Sequence, residues 1–215
     1  MAALAQEAPG IAAALLAGLL AGLAAVLLTG RLRAVTEQPS GLYRHHVHVP
    51  LAALLGAGAG VLAPSWLLVL PAVVLAVACA LLVVVDLAEH RLPNRLLALA
   101  YPSLLISLLP AALLGPDWAL LGRALLAGMV VMVVYLVLAL ISPAGLGMGD
   151  VKFSGLLGLA LGWAGWQSVI LGVLAAFVLN AVIALLVMVV RRDRRGEVPF
   201  GPAMVAGTAL ALAVT

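Results

Sequence analysis

The sequence predicts an all-α, polytopic integral membrane helix bundle with about eight transmembrane spans, and three observations carry that prediction. Of 215 residues, 66% are hydrophobic and only 9% charged, where soluble domains carry about 25% charged residues. The apolar residues fall in runs, most of them long enough to cross about 30 Å of hydrocarbon. The basic residues gather in the gaps between runs, where they report topology rather than a soluble binding face. The net charge of +3 therefore gives no reason to expect a nucleic-acid partner; the lipid bilayer is the expected surrounding.

The first span is expected from about Ile11 to Thr29. No cleavable signal peptide is evident, because Glu7 and no Lys or Arg precede Arg31, so this run is read as a retained span. The segment 30–49 is the longest polar stretch, with Arg31, Arg33, Glu37, Arg44 and the histidines His45, His46 and His48. Those histidines have no Asp, Cys or further His nearby and read as part of a solvated loop, not a metal site. A short second span covers Pro50 to Leu62, and a third runs from Trp66 to Val85. Asp86 then heads the loop 86–95. The fourth span, Leu96 to Leu114, contains Pro102 and Pro110, which neighbouring helices can accommodate in a membrane. The fifth is Trp118 to Ile141, the sixth Phe153 to Trp166 and the seventh Ser168 to Val190. Pro202 opens a last apolar run to Thr215. Cys79, the single cysteine, lies inside the third span and can form neither an internal disulfide nor a cysteine metal cluster.

Eight spans place both termini on one side. With the loop 30–49 in the cytoplasm, the loops 86–95, 142–152 and 191–201 lie there too. Of the 11 Lys and Arg residues, all but Arg123 then fall on that side, as the positive-inside bias requires. Gly155, Gly158, Gly162 and Gly165, Gly18 with Gly22, and Gly56 with Gly60 form small-residue faces that suit close helix packing in lipid.

Two acids stand at the predicted cytoplasmic span ends, Asp86 and Asp150. A carboxylate drawn into the bilayer centre costs roughly 2.5–3.5 kcal/mol, so such residues are functional candidates where a partner exists. Two carboxylates within hydrogen-bond reach share a proton, an arrangement that suits amide hydrolysis. From spacing alone the alternatives stay open: each Asp could cap a helix end or balance Arg91, Arg95 and Lys152. Gly147 and Gly149, lacking Cβ, leave room for backbone or substrate beside Asp150.

The flanking sequences bear on this. Asp86 with Arg91-Leu92-Pro93-Asn94-Arg95-Leu96, Gly147-Met148-Gly149-Asp150-Val151-Lys152, and Val198-Pro199-Phe200-Gly201-Pro202 resemble, in order and spacing, three signature segments of the type IV prepilin peptidase family. Gly-x-Gly-Asp alone is shared with presenilin-like proteases; the combination is the specific feature. The resemblance implies an aspartic endopeptidase of the bacterial cytoplasmic (inner) membrane. It implies cleavage of the basic leader of type IV prepilins or pseudopilins after a glycine, with Asp86 and Asp150 catalytic and no cofactor. Pro93, Asn94, Gly147, Gly149, Lys152, Pro199, Gly201 and Pro202 are expected to support the site, and Glu89 and Glu197 to attract the leader. Asn94 is expected to cap the fourth span and Pro202 to open the last one. Long members of the family carry a cytoplasmic domain with two cysteine pairs after the first span, associated with N-methylation. Here the loop 30–49 has no cysteine, which puts methyltransferase activity in question and suggests a short, peptidase-only form. The expectation is thus one transmembrane peptidase domain, 1–215: first span 11–29, short loop 30–49, catalytic core 50–215. A small proton-coupled transporter, or a non-catalytic pilus or secretion assembly protein, are the alternatives from other classes.

Overall fold

The computed structural model describes residues 10–36, 41–114, 118–142, 145–191 and 199–215. Among them there are helices and no strands, as the composition predicts. The order is α1 (Gly10–Val35), α2 (Gly41–Arg44), α3 (His48–Leu62), a short 3-10 turn (Trp66–Leu68), α4 (Val69–Glu89), α5 (Asn94–Leu114), α6 (Ala119–Ile141), α7 (Met148–Ala164), α8 (Trp166–Arg191) and α9 (Gly201–Val214). Among the described residues, α1, α4 with its preceding turn, α5, α6 and α8 are the five helices long and apolar enough to cross a membrane. The other predicted runs form α3, α7 and α9, of 15, 17 and 14 residues. At 1.5 Å per residue these are about 21–26 Å long.

Beside several charged residues the helices run past the expected span ends. Helix α1 continues through Arg31 and Arg33, α4 through Asp86 to Glu89, and α7 begins at Met148, ahead of Asp150. Hydropathy ends a span at its first charge, but nothing in these polar residues breaks a helix. The breaks fall where the backbone demands them. His90 has φ +51, outside the helical region, and Pro93 follows, which disfavours helix at the residue before it.

The chain forms two compact units, Met1–Glu89 with Pro93–Leu121, and His90–Leu92 with Gly122–Thr215. In the first, α4 packs against α1, α3 and α5, and from Cys79 through Asp86 every residue of α4 is buried. Helices α1 and α3 meet at backbone contact: a Cβ on Gly60 would lie 2.6 Å from the carbonyl oxygen of Ala13, and one on Gly56 2.7 Å from that of Ala17. Here the glycine pattern acts as a packing face.

His48 is not part of a solvated loop. It is the first residue of α3 and has no exposed surface. Its Nε2 lies 2.9 Å from Thr29 Oγ1, and that hydroxyl donates to the Ala25 carbonyl oxygen at 3.1 Å. With its one proton so used, the hydroxyl accepts from Nε2–H, which assigns the neutral tautomer and leaves buried Nδ1 a bare acceptor. Burial, then the neighbouring His46, hold this imidazole below its ordinary value.

In the second unit α7 is central, with every residue from Val151 to Leu159 apart from Lys152 buried. A Cβ on Gly158 would lie 3.0 Å from Gly128 Cα and 3.0 Å from Val131 Cβ of α6, and Gly162 packs on Ala127 and Ala124. Gly165 does not extend this face. It follows the last residue of α7 with φ +155 and open space around it, a conformation L side chains avoid, and α8 starts at the next residue. Arg123, the one cation placed apart from the others, bonds to the end of α7: Nε to Gly162 O at 2.8 Å and Nη2 to Trp163 O at 2.7 Å. A guanidinium there satisfies carbonyls that have no partner within the helix.

Candidate active site

Asp86 lies in the last turn of α4 and is 5% exposed. It does not head a loop, since α4 runs on to Glu89. Glu89, one turn further and on the same side of the helix, is half-buried, and its Oε1 accepts a hydrogen bond from the Tyr43 hydroxyl at 3.0 Å. Tyr43 is itself buried. The contact ties α2 to the end of α4 and fixes where the Glu89 carboxylate stands. The carbonyl of Pro93 receives the amides of Leu96 and Leu97, at 3.1 and 3.3 Å. Asn94 is therefore the first residue of α5 and exposed, and the residue ahead of it, Pro93, starts the helix.

Asp150 lies in the first turn of α7 and is half-buried. Its Oδ2 accepts a hydrogen bond from the Gly147 N–H at 3.1 Å, so the carboxylate reaches back to an amide that the helix itself leaves unpaired. The positive end of the helix dipole favours a negative charge at this place. The two glycines ahead of Asp150 do different work. Gly147 supplies the donor, whereas Gly149 allows a close approach: a Cβ there would lie 2.8 Å from Leu92 Cβ and 3.3 Å from Leu92 N. Leu92 is buried. Within the second unit, the segment that follows Asp86 thus packs directly on the residue that precedes Asp150. Lys152 is half-buried in the same turn of α7.

In the third segment Pro199 is half-buried, Gly201 is the buried first residue of α9, and Pro202 is the second. Phe200 is an anchor. Its ring lies 5.3 Å from that of Phe177 and 6.0 Å from that of Tyr135, and Tyr135 and Phe177 are 5.2 Å apart. Edge and tilted ring contacts of this kind add to the area they bury. Tyr135 is buried in α6, and Asp150 is near enough to act on its phenol electrostatically. Glu197 lies outside the described residues.

Tyr43, Tyr135 and Phe177 were not legible as site neighbours. Tyr135 carried one signal, as the sole polar-tipped aromatic in an aliphatic helix. Tyr43 carried none beyond its place in the polar segment. Among the described residues no three of His, Cys, Asp and Glu gather as metal ligands.

The fold and the site define a class: a helical membrane protein with two acids at helix ends, each set in a glycine- or proline-bearing segment. A model of the type IV leader peptidase family matches residues 73–185, which take in Asp86 and Asp150 with their flanks. The chain belongs to that family and is a membrane peptidase. Comparisons with curated proteins and with solved structures give no significant match.

Proposed function

We propose that the chain is an aspartic endopeptidase in which Asp86 and Asp150 act as one unit on the leader of type IV prepilins or pseudopilins. One observation carries the reading furthest: Leu92, from the segment headed by Asp86, packs on Gly149 while Gly147 N–H holds Asp150. Asp150 is the better placed of the two to carry the pair's negative charge, at the start of α7, which leaves the proton to Asp86. In the reaction Asp150 takes a proton from water as its oxygen attacks the scissile carbonyl carbon. Asp86 gives its proton to the carbonyl oxygen. Collapse of the tetrahedral species breaks the C–N bond: the proton held by Asp150 leaves with the new amine, and one hydroxyl of the tetrahedral carbon returns its proton to Asp86 as the carboxyl product forms, which restores the starting pair.

The proposal includes one peptidase domain in the bacterial inner membrane, with both termini outside and the catalytic segments facing the cytoplasm. A substrate helix stays in the lipid while its basic leader meets Glu89 and Glu197. The test incubates the reconstituted enzyme with candidate prepilins and reads the new N-terminus by mass spectrometry. Cleavage after the leader glycine, lost in Asp86→Asn and in Asp150→Asn, is the expected result. Undiminished cleavage in either variant overturns the pair. The expected product has an unmodified N-terminal amine in the presence of S-adenosylmethionine.

A further inference from the structure

A cavity of about 230 Å³ lies in the first unit, lined by α1, α4 and α5, with α4 as its floor. Ala24 and Leu28 come from α1, Val74 and Ala78 from α4, and Leu99 from α5. Its lining holds two polar side chains, Ser103 and Arg31. The Ser103 hydroxyl is already used, donating to Leu99 O at 2.7 Å within its own helix. Arg31 is exposed and is the one ionised side chain among the lining residues. It stands in the last turns of α1, and Leu96, also lining the cavity, stands in the first turn of α5. The charged end of the cavity is therefore the end toward the polar connections, and the aliphatic depth runs toward the helix middles.

We infer that this crevice holds one acyl chain of an anionic phospholipid whose phosphate is taken by Arg31. The shape selects the tail. A helix with its side chains is about 10–12 Å across and needs more room than this cavity has, whereas a single hydrocarbon chain is slender enough to lie between α1 and α5. The chemistry selects the head. A cation at the mouth with aliphatic walls behind it complements an amphiphile with a negative group at one end, and basic residues at helix ends attract anionic lipid. In a bilayer such molecules are present at high local concentration, so no further partner is needed. The inference stands apart from the peptidase mechanism, since neither aspartate lines the cavity.

The test is native mass spectrometry of the purified full chain in detergent, with phosphatidylglycerol and phosphatidylcholine of identical acyl chains added in equal amount. Wild type is expected to retain one phosphatidylglycerol, favoured over phosphatidylcholine by about fivefold. Arg31→Gln should erase the preference. Arg33→Gln, which removes an equal charge two residues on but outside the cavity, should leave it intact. Ala78→Phe fills the floor and should lower retention of both lipids, with the melting temperature checked to show the variant folded. Equal retention of the two lipids by wild type overturns the inference. So does a loss in Arg33→Gln as large as that in Arg31→Gln, which would mean diffuse attraction, or full retention in folded Ala78→Phe.

Discussion

Asp86 and Asp150 stand at opposite poles of their helices. Asp86 is in the closing turn of α4, a 21-residue helix, and is buried. Asp150 is in the opening turn of α7, a 17-residue helix, half-buried and bonded to a backbone amide. The peptide dipoles oppose a negative charge at the first place and favour it at the second. Two residues of the same type, in segments of similar look, are thereby given different electrostatic settings by the polarity of the backbone that carries them.

The largest test of that contrast is removal of either carboxylate. Asp86→Asn and Asp150→Asn should each lower cleavage by about a thousandfold or more, and the double variant should be no worse than the singles, as for residues that act as a unit. Activity assays in liposomes at matched expression check this, and additive losses would mean that the two act separately.

Next comes the support beneath Asp150. In Gly158→Leu a side chain must enter where a Cβ alone already meets Gly128 and Val131 at 3.0 Å. Displaced helices near 1 Å out of register cost about a hundredfold in rate. Ala164→Leu, at an exposed position of the same helix, should be near neutral. Leu156, by contrast, is fully buried and not on an open side of α7.

Smaller effects sharpen each half. Gly149→Ala should lower kcat about tenfold by pushing on Leu92 Cβ, and Leu92→Gly, which removes that atom, should restore part of the loss, giving a non-additive cycle. On the Asp86 side, Tyr43→Phe removes the hydrogen bond to Glu89. The expected result is a KM for basic leaders raised about threefold with kcat unchanged, because Glu89 and not Asp86 loses its position.

The smallest effect is on stability, at His48. The unfolded imidazole protonates at its ordinary 6.5 and the folded one only at lower pH. Stability is therefore complete above pH 6.5 and falls as the pH drops below it. The melting temperature should decline between about pH 7 and pH 5 in wild type, and less so in His48→Gln.

Much of this was legible in the chain. The scarcity of charged residues predicted the helical bundle, and the segments around Asp86 and Asp150 pointed to the family whose model matches them. The ends at Leu62, Leu114 and Ile141 fall where expected, whereas those beside charged residues, in α1, α4 and α7, were missed by a turn or more. Hydropathy measures transfer of side chains, whereas a helix continues as long as its backbone bonds do, which is why Asp86 and Asp150 lie inside helices. The glycine pattern correctly marked Gly56, Gly60, Gly158 and Gly162 as packing positions, yet it also took in Gly165, whose role is a sharp change of direction. Periodicity cannot tell a contact from a break when both use the residue without a side chain. The aromatic group around Phe200 was invisible because its members come from α6, α8 and the residue ahead of α9, separated in sequence.

Arg123 has a consequence for biosynthesis. Its guanidinium is satisfied by the carbonyls of Gly162 and Trp163, which leave the ribosome some forty residues later. When α6 first meets the lipid its charge therefore has no backbone to hold, and an unpaired cation on an inserting helix is costly. Helix α6 gains its stable seat only when α7 arrives beside it. For α6 the hairpin with α7, not the single helix, is the piece in which this charge is satisfied, and a protein truncated after Ile141 should be left exposed to quality-control proteolysis.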